Sequence, residues 1–182
     1  MALEYLVSSL PPLAFDARPA IGTDEFAEVC RRWASPRDAA AVQALLDGDA
    51  GACPGHPVLA RWRDIETQMR NAAAAERARA RQADAAKWRR PERGCNMHWK
   101  ARAAAAFRES GPLARQNALD RAAWDAAGEL VRPEDPLGIG AVFAYAARLL
   151  ISTRRSKADT AAGNAVFDRI AAAAQLSAPG KE

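Results

Sequence analysis

From Val58 to Arg90 the chain contains neither proline nor glycine, and this breaker-free run constrains the fold more than any other feature. Leu59, Trp62, Ile65, Met69, Ala72 and Ala73 recur every three or four residues and form one apolar stripe, the signature of an amphipathic helix. An unbroken helix of roughly 33 residues would extend about 50 Å, longer than a compact domain requires. Its second half, AERARARQADAAKWRR, loses large apolar residues and turns basic, so it is expected to project or to pack only through alanine and Trp88. Pro91 and Gly94 then break the run.

The remaining text reads as shorter helices. Thr23 is placed to cap a helix carrying Asp24 and Glu25 in its first turn and Phe26, Val29 and Trp33 on one side. Ser35, Pro36 and Asp38 form a capping signal for a second helix with Val42, Leu45 and Leu46, which Gly48 ends. A helix from Cys95 to Glu109 is expected to bury Met97, Trp99, Ala101 and Ala105. Pro112 restarts the chain before Leu119, Ala123, Ala126 and Leu130, and Asp135 is placed to cap a helix buried through Ile139, Val142, Phe143, Ala146 and Leu150. A last helix carries Val166, Phe167 and Ile170, and the tail from Ser177 should fray. The expected fold is all-α: an elongated antiparallel helix bundle with one long helix and a short extended N-terminal segment. Residues 1–176 form a single helical domain with room for a projecting hairpin around 70–105, and 177–182 form a disordered tail.

The beginning, YLVSSLPPLAFD from Tyr5 to Asp16, is not an export signal. Glu4 stands where such a signal needs positive charge, and Pro11-Pro12 rule out a continuous helix. Tyr5, Leu6 and Val7 ahead of the double proline point to an edge strand or an extended strap. No stretch approaches the roughly 20 apolar residues of a transmembrane helix. With three cysteines and no leader, a cytoplasmic protein with reduced thiols is expected. A chain of this size buries roughly 70% of its unfolded surface, enough for one core.

Several segments resemble, in order, a bacterial family of uncharacterised proteins encoded beside the genes of V/A-type rotary ATPases and likened to the C-type component of the V-type ATPase. These are YLVSSLPPLAFD, FAEVCRRWASPRDAAAVQALL (Phe26 to Leu46), LARWRDIETQMRNAAAAERARA (Leu59 to Ala80), NALDRAAWDAAGEL (Asn117 to Leu130), and FAYAARLLISTRR followed by GNAVFDRI. The opening segment and the LDRAAWD block are the distinctive parts. The resemblance implies a helical, non-catalytic structural or assembly subunit of an ion- or proton-translocating ATPase, such as an adaptor joining the central shaft to the membrane ring. Its partners would be other ATPase subunits, and its place the cytoplasm, peripheral to the inner membrane through the complex. It supplies no catalytic residues.

The residues themselves agree with a non-enzymatic role. No G-x-x-x-x-G-K-[ST] loop is present, so no nucleotide phosphate is expected to bind. The GIG of Gly138–Gly140 is too short for a dinucleotide motif and lies in a helix pattern. Asp120 and Asp125, on a surface-like face beside Arg121, suit ion pairing better than acid–base chemistry. Arg70, Arg77, Arg79, Arg81, Lys87, Arg89 and Arg90 form a basic face suited to an acidic partner surface, against the plainer reading of a solvated face supported by pairs such as Glu76 with Arg79. Nucleic-acid binding by this face is the weakest reading, because only Trp88 and Trp99 supply aromatic surface.

Zinc is the one cofactor the residue pattern admits. Both histidines stand three residues after a cysteine, in CPGH (Cys53, His56) and CNMH (Cys95, His98), and two Cys with two His make a complete tetrahedral set. The alternative function is therefore a small zinc-stabilised helical protein-binding module. The two pairs can meet only if the intervening helix is interrupted or folds back. Cys30, at an apolar helical position, is expected in the core.

Overall fold

The computed structural model describes residues 2–49, 52–157, 165–166 and 169–170. Seven α-helices follow one another among them: α1 (Ala2–Ser9), α2 (Thr23–Trp33), α3 (Pro36–Leu46), α4 (Pro57–Ala80), α5 (Met97–Ala105), α6 (Pro112–Gly128) and α7 (Ile139–Lys157). The all-α class holds, and no strand occurs among the described residues beyond one isolated bridge between Arg132 and Asp135.

The organising element is α7 rather than the long helix. It packs against α1, α2, α3, α4 and α6. Val142, Phe143, Ala146, Ala147, Leu149 and Ile151 are all buried, so apolar side chains cover more than one face, as a helix surrounded by others requires. The innermost residue of its last stretch is Leu149, with Leu150 only partly buried. The start of α7 comes very close to the end of α6. A Cβ on Gly140 would lie 2.1 Å from the Leu130 carbonyl oxygen, and one on Gly138 would lie 1.8 Å from the Asp135 carboxylate. Gly140 is thus a packing requirement.

Two expectations are corrected. The segment from Ala2 to Ser9 is helical, not an edge strand, and Leu6 is its wholly buried residue. The strap begins after it, where Pro11 and Pro12 forbid further helix. There the Tyr145 hydroxyl donates to the Pro11 carbonyl at 3.0 Å, and Phe15 packs edge-on against Trp124. The second correction concerns α4, which ends after 24 residues, about 36 Å long. Gln82 takes a left-handed φ of 52°; Ala83 N–H donates to Ala78 O at 2.9 Å and Gln82 N–H to Arg79 O at 3.2 Å. This pair of bonds is the Schellman stop, normally marked by glycine. Glutamine fills the position here, so the stop leaves no sequence signal.

Smaller departures follow from packing. At α3 the expected termini are present: Ser35 Oγ accepts from Asp38 N–H at 3.1 Å, and Gly48 (φ 69°) closes the helix. At α2 the N-cap is Gly22, without a side-chain bond, in place of Thr23. Within α5, Trp99 and Ala103 are buried while Met97 is 68% exposed, so the inner face is rotated from the one expected. Asp120 is buried rather than on the surface, bound by Arg154 at 2.5 Å and Gln116 at 2.7 Å. Asp125 pairs with Arg102 at 2.8 Å, while Arg121 turns to Asp16 at 3.2 Å. Val166 and Ile170 are helical but exposed, and Phe167 and the tail 177–182 lie outside the described residues. Cys30 is fully buried, as expected, and burial pushes its thiol up to about 12.

Candidate functional site: an arginine-lined groove

The α4 stripe expected from the sequence is buried through Leu59, Trp62, Ile65 and Met69. Two polar residues on the same helix, Gln68 and Asn71, are buried as well. They hold the chain that returns from the stop at Gln82. Gln68 Nε2 donates to the Arg93 carbonyl at 2.7 Å, and its Oε1 accepts from Asn96 N–H at 2.6 Å. Asn71 Nδ2 donates to the Arg90 carbonyl at 2.8 Å and to Glu92 Oε2 at 2.9 Å, while its Oδ1 accepts from Arg90 N–H at 2.9 Å. Each side-chain amide replaces backbone partners that this irregular stretch lacks. Glu92 also pairs with Lys100, and hydrogen bonds from Lys100 and then Asn71 hold its carboxyl below the usual glutamate value of 4.5.

The clamp fixes residues 88–90 beside the last turns of α4. Between them lies a cavity of about 380 Å³ lined by Arg70, Arg77, Arg81 and Arg90, with Ala74 and Ala78 as floor and Trp88 as one wall. Trp88 is 54% exposed. Arg77 and Arg81 also line an adjoining hollow of about 360 Å³ that reaches Phe107 and Arg115. The guanidinium carbons of Arg77 and Arg115 sit 5.4 and 5.7 Å from the Phe107 ring centroid, so the ring holds both arginines by cation–π attraction.

The basic residues expected to act together differ in pairing and in place. Arg79 pairs with Glu76 at 2.6 Å and Arg89 with Glu92 at 3.7 Å, and neither lines the groove. Arg70 lines it while paired with Glu66 at 2.7 Å. Arg77, Arg81 and Arg90 line it with no ion pair among the described residues; Lys87 also has none but lies outside it. Helix-dipole stabilisation accounts for arginines in the last turn of α4, but not for Arg70 or Arg90.

The four expected zinc ligands are placed differently. His56 is buried and caps α4: its Nδ1 accepts from Leu59 N–H at 3.3 Å, and its Nε2 meets Asp38 Oδ1 at 3.0 Å. The ring also stacks on Phe143 at 4.8 Å. Cys53 is half-buried, Cys95 is exposed, and His98 packs edge-on against Trp99. Among the described residues no group of three or more His, Cys, Asp or Glu side chains could hold a metal ion. Ser35 Oγ donates to Asp38 Oδ2 at 2.7 Å, so the carboxylate stands between serine and histidine; a nucleophilic triad needs the histidine in the middle.

The sequence points to Trp88 beside the basic face but to neither Phe107 nor the amide clamp. Gln68 and Asn71 interrupt an apolar stripe at helical spacing, and that was the signal available. Among the described residues no helix is long and apolar enough to cross a membrane. Comparison with protein-family models, curated proteins and solved structures gives no match.

Proposed function

We propose that this protein is a non-catalytic docking subunit that binds another protein through the groove at the end of α4. The observation that carries the reading is that Arg77, Arg81 and Arg90 line one groove with the exposed Trp88 and have no carboxylate partner among the described residues. Cations assembled on a clamped scaffold lose little entropy when an anionic surface arrives. Tryptophan and arginine are also the side chains that most often dominate protein interfaces.

The setting we propose is a bacterial V/A-type rotary ATPase, with the chain as a structural or assembly component of the C type, at the central stalk, and an elongated helix bundle as its working form. The segments from Tyr5 to Asp16, Phe26 to Leu46 and Asn117 to Leu130 support this reading through their resemblance to the family encoded beside such ATPases. A helical scaffold suits an adaptor that transmits force through broad contacts.

The test is purification of the rotary ATPase from the native host with and without this chain. Stoichiometric co-purification, and a complex that loses integrity when the chain is deleted, is the expected result. A stable, fully active ATPase that never carries the chain would contradict it.

A further inference from the structure

We propose that the occupant of the groove is an extended acidic segment of the partner protein, carrying carboxylates at alternate positions and an apolar side chain that rests on Trp88. The inference builds on the docking role above and names the partner's chemistry.

The spacing of the arginines is the first argument. Arg70 and Arg77 on α4 and Arg81 at its C-cap stand at i, i+7 and i+11, within about 40° of one another around the axis at 100° per residue. They therefore form a row about 16 Å long beside the alanine floor, the length of roughly five residues of extended chain. Arg77 and Arg81 are about 6 Å apart along the axis, close to the roughly 6.6 Å between alternate side chains of an extended segment. Two carboxylates at alternate positions of such a segment can therefore face Arg77 and Arg81 while the residue between them faces away; Arg70, about 10 Å further back along the axis, lies outside this register. Ala74 and Ala78 let its backbone approach the helix, and Arg90 closes the opposite wall.

The second argument excludes a compact anion. The groove lies at the C-terminal end of α4, the negative end of the helix dipole, whereas phosphate groups favour helix N-termini. A row of separate carboxylates keeps its charge on the arginine tips and away from that end of the helix. Nucleic acid would find one exposed tryptophan and one cation row, less than the repeated stacking surfaces that single strands use.

The test is fluorescence anisotropy with the full chain and a fluorescein-labelled peptide alternating glutamate with leucine, set against a glutamate-to-lysine version, inorganic phosphate as competitor and a DNA oligonucleotide. Saturable binding of the acidic peptide, weakening as salt rises, is expected. Arg77→Glu with Arg81→Glu should weaken it by about tenfold or more, and Trp88→Ala by several fold. Arg79→Glu with Arg89→Glu makes the same charge change outside the groove, and should leave binding within about twofold. Unchanged circular dichroism and melting temperature establish that each variant is folded; all of these side chains are exposed.

Failure of the acidic peptide to bind, equal losses from Arg79→Glu with Arg89→Glu, displacement by phosphate, or tighter binding of DNA would each overturn the inference. If the peptide fails while parts of the ATPase still co-purify, the docking role survives and this occupant does not. If it binds and no part of the ATPase co-purifies, the occupant stands and the ATPase setting falls.

Discussion

Arg155 holds Phe15 twice: its guanidinium carbon lies 3.9 Å from the ring centroid, and its Nε donates to the carbonyl of the same residue at 3.2 Å. Arg121 lies 3.8 Å from the same centroid. Two guanidiniums this close to one centroid must occupy opposite faces, because on one face they would collide. Both also reach Asp16, at 3.0 and 3.2 Å. The LAFD end of the opening segment is thus locked to α6 and α7 by its last two residues. Phe15→Ala should cost about 3 kcal/mol, while Phe15→Leu, which keeps most of the burial and loses the cation–π contacts, should cost about 1 kcal/mol. Urea unfolding measures both; a Phe15→Ala variant as stable as the parent would show that the strap bears no load.

Gly140 and Gly138 differ in what surrounds them, and their alanine variants should differ accordingly. At Gly140 a methyl group meets backbone, the Leu130 carbonyl, which cannot move without separating α6 from α7. Gly140→Ala should cost about 2 kcal/mol or more. At Gly138 it meets the Asp135 carboxylate, a side chain able to rotate away, so the cost should be smaller. Thermal melts of the two variants check the order, and the reverse order would contradict the close approach.

Both ring nitrogens of His56 are in use within the fold, as cap for Leu59 N–H and as partner of Asp38. His56→Ala should therefore cost about 2–3 kcal/mol, from the lost cap, the lost bond to Asp38 and the lost stacking on Phe143. Cys95→Ser, at an exposed position, should change stability by less than about 0.5 kcal/mol. A zinc site would tie these residues together. Melts with and without a chelator separate the cases: a large drop in melting temperature on chelation, repeated in Cys95→Ser, would support the metal reading.

Glu92 should make the clamp acid-sensitive. Hydrogen bonds from Lys100 and Asn71 hold its carboxyl below the usual 4.5, so the folded state favours the ionised form. Its contribution to stability is complete above about pH 4.5, and is lost as pH falls through the lower folded-state value. Glu92→Gln removes this dependence. The parent's melting temperature should fall more steeply below pH 4.5 than the variant's, and parallel curves would contradict the pairing.

How much of this was legible in the sequence depended on whether a local signal matched a tertiary need. The Ser35-Pro36-Asp38 start, the Gly48 stop, the buried face of α4 and the Val142, Phe143 and Ala146 part of α7 rest on capping and periodicity, and there those rules sufficed. The end of α4 did not, because Gln82 performs a turn usually given to glycine. Tyr5 to Ser9 carries strand-like residues, yet Leu6 is buried as part of a helix, so tertiary burial outweighed propensity. The basic residues were visible as a group. Which of them share a groove depended on Gln68 and Asn71 binding backbone 19 to 28 residues away, a relationship that no local pattern encodes.

The most direct test of the docking account is site-specific photo-crosslinking in the native host, with a benzophenone amino acid in place of Trp88 and, separately, of the exposed Leu137 as a control away from the groove. The account expects position 88 alone to give one discrete adduct, mapped by mass spectrometry to an acidic segment of a rotary ATPase protein, and expects Arg77→Glu with Arg81→Glu to abolish it. No adduct at position 88, the same adduct from position 137, or an adduct that persists in the double variant would contradict it.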